Sequence, residues 1–187
     1  MADRINIEIE FKCLIDKAKY DALIKNFNIS KDQIKTQTNY YFDTKDLMLR
    51  KKHVMCRIRQ KGDQYKITVK TKTPDNDNLE THYFLTNEEA KLAIENGLDG
   101  KYANYPDKLF NVATLTTNRV CLEYRGGKLF LDESKYGSIT DYEIEYEVID
   151  KKNGEIIFDE FLKENNIVRT NPISKSSRCL KEAGYNI

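Results

Sequence analysis

The sequence lacks several features that would point to familiar kinds of active site. Its four cysteines lie far apart and form no C-x-x-C pair, so neither a zinc site nor a redox dithiol is indicated. Its two histidines, His53 and His82, are too few and too distant for a histidine metal site or a Cys-His pair. A structural or surface role is expected for both. Any metal chemistry must therefore rest on carboxylates.

The chain also lacks a large net charge and any long apolar run. Lys and Arg number 31 against 30 Asp and Glu, and a formal charge of +1 gives no global attraction for a nucleic-acid duplex or a membrane. No stretch approaches the ~18 apolar residues of a membrane span, and the first residues contain no apolar signal core. Repeats and Pro- or Ser-rich linkers are absent. We expect one domain over residues 1–187, located in the cytoplasm, with local sorting of charge.

What is present is strand-like alternation. In the segment 5–12 every odd position is apolar and every even position is polar, a strict period of two. Similar patterns predict eight strands, at 5–12, 38–43, 54–60, 64–73, 79–85, 118–125, 128–133 and 141–149. Helical patterns with capping residues predict four helices, at 16–27, 87–96, 158–166 and 175–183. Eight strands with fewer helices indicate an α+β chain whose strands suit an antiparallel barrel.

The polar faces of these strands are sorted by the sign of their charge. The first strand carries Glu8, Glu10 and Lys12 on one face. Later strands carry Arg57 and Arg59; Lys66, Thr68, Lys70 and Lys72; Glu80 and His82; Arg119 and Glu123; Lys128 and Asp132; and Glu143, Glu145 and Glu147. Same-face neighbours on a strand lie ~6.5–7 Å apart, so runs of like charge repel each other.

Two interpretations of these charged faces are open. They could be ordinary solvated surfaces, or they could line a wet lumen if helices cover the apolar faces, which include Ile5, Ile7, Ile9 and Phe11. Inside a lumen, basic clusters would bind a polyanion through charge-assisted hydrogen bonds. Carboxylates would repel that anion unless divalent cations lay between them.

Several segments, taken in order, resemble a known family. They are Glu8-x-Glu10-x-Lys12, Tyr40-Tyr41-Phe42-Asp43-Thr44, Arg57-x-Arg59, Thr68-x-Lys70 and Glu143-x-Glu145. Together they resemble the CYTH domain of the triphosphate tunnel metalloenzymes, and the resemblance spans nearly the entire chain. It implies an eight-stranded antiparallel closed β-barrel, or tunnel, with a charged interior and helices packed outside. It also implies a triphosphate-containing small molecule as ligand, bound with Mg²⁺ or Mn²⁺.

The resemblance also implies roles for individual residues. The implied metal ligands are Glu8, Glu10, Asp132, Glu143 and Glu145. The implied phosphate-binding residues are Lys12, Arg57, Arg59, Lys66, Lys70, Lys72, Arg119 and Lys175. Catalysis would depend on Glu8, Glu10, Lys12 and Glu145. Glu80 is expected to support the basic residues, Glu147 is left outside the site, and Tyr40, Tyr41 and Asp43 are expected to be structural.

The preferred function is metal-dependent hydrolysis of inorganic tripolyphosphate or an organic triphosphate, because no Ser-His-Asp or Cys-His constellation offers a covalent nucleophile. One alternative is a class IV adenylate cyclase that converts ATP to cyclic AMP and pyrophosphate. Another is a noncatalytic regulator that binds polyphosphate or nucleotides. A third is a structural barrel with surface charges. The physiological triphosphate, the preferred metal and a homodimeric state are left open.

Overall fold

The structure, a computed structural model, describes residues 2–75 and 77–187. These residues form eight strands: Arg4–Ile15 (β1), Lys35–Asp43 (β2), Met55–Lys61 (β3), Gln64–Lys72 (β4), Asn78–Leu85 (β5), Phe110–Tyr124 (β6), Gly127–Tyr136 (β7) and Ile139–Val148 (β8). They also form five α-helices: Lys17–Asn26 (α1), Met48–Lys51 (α2), Asn87–Asn96 (α3), Lys151–Glu164 (α4) and Lys175–Glu182 (α5). None of the helices in this described part combines the length and apolar character that a bilayer crossing requires.

The strands are joined in the hydrogen-bonded order β1-β5-β4-β3-β2-β6-β7-β8, which closes on itself as a barrel. The predicted closed antiparallel barrel of eight strands is thereby confirmed. Contacts divide the described chain into two compact units. The first unit contains residues 2–7, 37–75, 77–116 and 175–187, and the second contains residues 8–36 and 117–174. That residues 1–187 form one domain stays a prediction.

In the second unit, helices α1 and α4 cover the apolar face of the strands. Ile144 and Tyr146 of β8 are buried in a cluster with Phe158 and Phe161 of α4. The Tyr146 ring stacks on Phe158 at 6.3 Å between centroids. Because side chains alternate along a strand, Glu143 and Glu145 lie on the opposite face of β8. The period-two pattern of this strand therefore separates an apolar face covered by helices from a charged face.

In the first unit, α3 packs on β4 and β5. Its N-terminus has the predicted capping box, because Thr86 and Glu89 exchange hydrogen bonds, and Gly97 ends it with a φ of 94°. Ile58 and Ile67, which are paired across β3 and β4, are fully buried beneath it. Their neighbours along the two strands are polar and mostly basic, so the same separation of faces holds here.

Two helices differ from the prediction. Helix α2 was not predicted, and the buried carboxylate of Asp43 stabilises it by accepting hydrogen bonds from the backbone N–H groups of Leu49 and Arg50, at 2.9 and 3.0 Å. This contact supports the structural role expected for Asp43. Helix α4 begins seven residues earlier than predicted, because Asp150 caps it by accepting from the N–H of Asn153. The sequence around Gly154 resembles a turn, which hid this start.

The apolar face of β1 is covered only in part. A charged lumen was considered on the condition that helices cover this face, which includes Ile5, Ile7, Ile9 and Phe11. In the structure Ile5 is 63% exposed and Ile7 is 62% exposed, whereas Phe11 packs against the core of the second unit. Alternation identifies the apolar face of a strand, but it does not show how far along the strand a helix covers that face.

Candidate active site

Neighbouring strands of the first unit carry most of the predicted phosphate-binding residues. Arg59 of β3 pairs with Lys66 of β4, and Arg57 pairs with Thr68. Lys70 lies two residues beyond Thr68 along β4, so it has the same orientation. Because paired residues of antiparallel strands point to one side, Arg57, Arg59, Lys66 and Lys70 share a face. The alternation predicted this grouping only within each strand. We call these four residues the basic face.

A buried carboxylate, Glu80 of β5, connects members of the basic face. Its Oε1 lies 2.9 Å from Lys70 Nζ and 4.0 Å from Arg57 Nη2, and its Oε2 lies 3.2 Å from His82 Nε2. Burial alone would raise the pKa of Glu80, but the charges of Lys70 and Arg57 outweigh it and lower the pKa to about 2. Glu80 is therefore an anion that holds the two cations, as the sequence analysis expected of it.

The other basic residues are crowded. Burial, followed by the charges of Arg59 and Arg57, lowers the pKa of Lys66. Arg59 donates from Nε to Oδ1 of buried Asn39 at 2.8 Å. The buried Nε of Arg57 has no hydrogen-bond partner among the described residues. Binding an anion here would relieve the repulsion at Lys66 and could satisfy that donor.

The remaining predicted phosphate ligands of the first unit differ in placement. Lys72 is exposed at the end of β4. Lys175 is half-buried at the first position of α5, and its charge acts on buried Tyr41, which pairs with Arg57 across β2 and β3. Lys175 therefore lies near the basic face, whereas Lys72 is at the margin of its strand.

In the second unit, three carboxylates come together on β1 and β8. Glu10 pairs with Glu147 across these strands, and one oxygen each from Glu8, Glu10 and Glu147 lie within 4.8 Å of one another. We call these three residues the acidic cluster. Burial, and next the charge of Glu8, raise the pKa of Glu147 to about 7. A cluster of this kind is stabilised either by a proton or by a cation.

Lys12 lies next to this cluster on β1. Its Nζ lies 3.0 Å from Glu10 Oε1, and it pairs across the strands with Glu145. Burial alone would lower the pKa of Lys12, but the charges of Glu10 and Glu145 outweigh it and raise the pKa. Lys12 is therefore a firmly charged cation among carboxylates.

Arg119 and Asp132, which were assigned separate roles, contact each other. Arg119 Nε donates to Asp132 Oδ1 at 2.7 Å, and its Nη2 donates to both Asp132 and Glu145. The guanidinium also lies 4.3 Å from the ring centre of Phe130. Burial would lower the pKa of Arg119, but Asp132 and Glu145 raise it well above its ordinary value. Glu143, the remaining predicted ligand, pairs with Asp132 and is fully buried.

The structure thus sorts the predicted residues into smaller groups. It brings Glu8 and Glu10 together with Glu147, which the sequence analysis left outside the site. The sequence did contain a signal for Glu147, because it lies two residues after Glu145 and therefore on the same face of the strand. By contrast, nothing in the sequence indicated that Asn39 would hold Arg59. The predicted roles of all these residues in metal binding, phosphate binding and catalysis stay predictions.

Comparison with known proteins shows which family this chain matches. Residues 6–180 match the CYTH domain. The chain is 32% identical over 188 residues to "Putative triphosphatase YjbK" of Bacillus subtilis, covering 97% of this chain and 98% of that protein. A crystal structure from Bacillus halodurans, described as a "putative adenylate cyclase", is 35% identical with a TM-score of 0.86, covering 93% of this chain and 97% of the other.

A second solved structure supports the fold alone. It is a protein from Hippeastrum described as a "putative adenylyl cyclase" with a dominant triphosphatase activity, and it is 20% identical with a TM-score of 0.75. The comparison covers 97% of both chains. The match to the domain covers most of the sequence, and the Bacillus subtilis relative exceeds 30% identity over nearly its whole length. The chain therefore belongs to the CYTH domain family.

Proposed function

We propose that this protein is a divalent-metal-dependent triphosphatase. A metal-bound triphosphate presents negative phosphate oxygens, which cations bind, and a positive ion, which carboxylates bind. The first unit has such cations in the basic face, and the second unit has such carboxylates in the acidic cluster. The observation that carries the proposal is the basic face, because partly buried cations that crowd one another are stabilised by a polyanion.

The acidic cluster has the donor set that a divalent cation requires. Three carboxylate oxygens within 4.8 Å match the oxygen ligands that Mg²⁺ and Mn²⁺ prefer. We expect Glu8, Glu10 and Glu147 to hold such an ion, which when bound would neutralise phosphate charge and lower the pKa of water. Asp132, Glu143 and Glu145 remain candidate further ligands, although Asp132 and Glu145 already accept hydrogen bonds from Arg119.

The side chains of the basic face then have a defined task. Arg57 and Arg59 can donate two parallel hydrogen bonds to phosphate oxygens, and Lys70 supplies a point charge that Glu80 keeps in place. These fixed cations stabilise the negative charge that collects on the leaving diphosphate when water attacks the terminal phosphorus. Triphosphate and water give diphosphate and phosphate, and no protein nucleophile is needed.

The relatives favour hydrolysis but leave cyclisation as a second candidate. The Bacillus subtilis relative has a name that assigns it a triphosphatase activity, whereas the Bacillus halodurans structure is described as a cyclase. Cyclisation requires a ribose hydroxyl as the attacking group and a pocket for adenine, and hydrolysis of tripolyphosphate requires neither. We therefore propose hydrolysis and treat cyclisation as one outcome of the test.

A release assay separates these activities. Tripolyphosphate, ATP and thiamine triphosphate are each incubated with the protein and Mg²⁺, Mn²⁺ or chelator. We expect metal-dependent release of phosphate, which Lys70→Ala should reduce and which the exposed control Lys91→Ala should leave unchanged. Pyrophosphate with cyclic AMP would replace the proposal by cyclisation. Metal-dependent binding without any product would replace it by a regulatory role.

A further inference from the structure

His82 is buried on the same side of the sheet as the basic face and contacts three polar side chains of the first unit. It is 4% exposed on β5, where it pairs with Thr68 of β4. Its Nδ1 lies 3.2 Å from Thr68 Oγ1. Its Nε2 lies 2.9 Å from Asn6 Oδ1 and 3.2 Å from Glu80 Oε2.

These contacts define the position of the ring proton. Nε2 faces the carboxylate of Glu80 and the amide oxygen of Asn6, both of which accept, so Nε2 carries the hydrogen. Nδ1 then accepts from the hydroxyl of Thr68. Burial, followed by the charge of Lys66, lowers the pKa of His82 to about 4, in spite of Glu80. The ring is therefore neutral near pH 7. Its Nε2 donates to Asn6, and the same N–H edge lies 3.2 Å from Glu80 Oε2 without adding a competing positive charge.

Glu80 divides its two oxygens between His82 and the cations. Oε2 faces His82, whereas Oε1 lies 2.9 Å from Lys70 Nζ and 4.0 Å from Arg57 Nη2. If His82 did not hold Oε2, the carboxylate could rotate about its last bond, and Lys70 would follow it. The imidazole therefore restricts the carboxylate that in turn restricts the ammonium group.

We infer that His82 is a positioning residue of the phosphate site: its N–H edge, which Asn6 holds, confines Oε2 of Glu80 and thereby keeps Lys70 and Arg57 in the orientation that binds the triphosphate. The inference rests on the proposed function, because it concerns the same basic face. It assigns His82 no contact with substrate and no proton transfer. Its effect should therefore appear in the affinity for the anion and leave the chemical step largely unchanged.

Two substitutions separate the two ring nitrogens. Gln at position 82 can place an amide N–H near the Nε2 position and keep an N–H beside Asn6 and Glu80. Asn at position 82 can place an amide oxygen near the Nδ1 position and keep the acceptor for Thr68, but it is too short to reach Glu80. We expect His82→Asn to raise KM for tripolyphosphate about tenfold with kcat little changed, whereas His82→Gln stays within about threefold of wild type.

Thermal stability shows whether His82 has only a structural role, because such a role would make the change in KM follow the change in stability. Both variants lose part of a buried ring, so their thermal midpoints should fall to a similar extent. If KM falls or rises equally in both variants, or follows the loss of stability, His82 serves only packing and the inference is overturned. Binding of tripolyphosphate measured by calorimetry in chelator should show the same order, with His82→Asn the weaker variant.

A measurement without ligand tests the inference separately from the function. Nitrogen NMR of the wild-type histidine ring should report a single neutral tautomer with hydrogen on Nε2 between about pH 6 and 8. Hydrogen on Nδ1, or an averaged signal, would refute the arrangement even in an active enzyme. Failure of the wild-type protein to bind or cleave any triphosphate would instead refute the proposed function, and the role of His82 at that site with it.

Discussion

Replacing Asp132 by Ala tests whether its contact with Arg119 holds the second unit together. Asp132 is fully buried and the side chain of Arg119 is 14% exposed. Removing one partner of a buried ion pair costs about 3–5 kcal/mol, because the other charge remains buried without compensation. Glu145 would still accept a hydrogen bond from Arg119. We therefore expect the lower end, about 3 kcal/mol of unfolding free energy, or about 6–12 °C in Tm.

The assay is urea unfolding followed by circular dichroism, in chelator so that metal binding does not contribute. The midpoint should fall while the slope with urea stays unchanged. Asp21→Ala is the matched control, because it removes an exposed ion pair with Lys17 in the same unit and should cost no more than about 0.5 kcal/mol. A loss below about 1 kcal/mol for Asp132→Ala, together with weaker Mg²⁺ binding, would refute the structural role and support the predicted ligand role.

Three further outcomes concern other residues. Burial and the charge of Glu8 raise the pKa of Glu147 from 4.5 to about 7, so protonated Glu147 favours the fold at low pH and this contribution is lost as pH rises through about 7. In chelator, the difference in unfolding free energy between wild type and Glu147→Gln should fall by roughly 2–4 kcal/mol as the pH rises from 4.5 to about 7. A difference in urea unfolding that does not change with pH would contradict this prediction. Gly154→Ala should destabilise the protein by about 1–3 kcal/mol, because the added Cβ would lie 2.5 Å from Val148 Cγ2. This clash outweighs the preference of Ala for helices. A higher midpoint in thermal unfolding would contradict the clash. Arg57→Ala should weaken tripolyphosphate binding about tenfold or more in calorimetry while circular dichroism stays unchanged, and unaltered affinity would remove Arg57 from the site.

The alternation of side chains explains why much of the fold and of the site could be predicted. Side chains alternate with a period of two in any strand. The alternation therefore correctly placed Arg57 and Arg59 on one face of β3, and Glu8 and Glu10 on one face of β1. It could not assign partners across strands. The pairing of Arg119 with Asp132 depends on the register of β6 against β7, which the alternation of either strand leaves open.

Other differences have local physical causes. Helix α2 follows Leu47, which has a φ of 55°, a conformation that an ordinary apolar residue adopts rarely and that no sequence pattern announced. The exposure of Ile5 and Ile7 depends on where the covering helices end. Likewise, the burial of His82 depends on its neighbours Thr68 and Asn6, which lie 14 and 76 residues away in the chain.

Each charged group has a neighbouring residue of opposite charge that contacts its members. In the first unit Glu80 holds Lys70 and approaches Arg57. In the second unit Lys12 holds Glu10, and Arg119 holds Glu145. Without these contacts the like charges would move apart, and ordering them again would weaken the binding of a ligand. Because the contacts are internal to each unit, both sets of charges are organised in the free protein, and electrostatic stabilisation of a transition state requires that organisation.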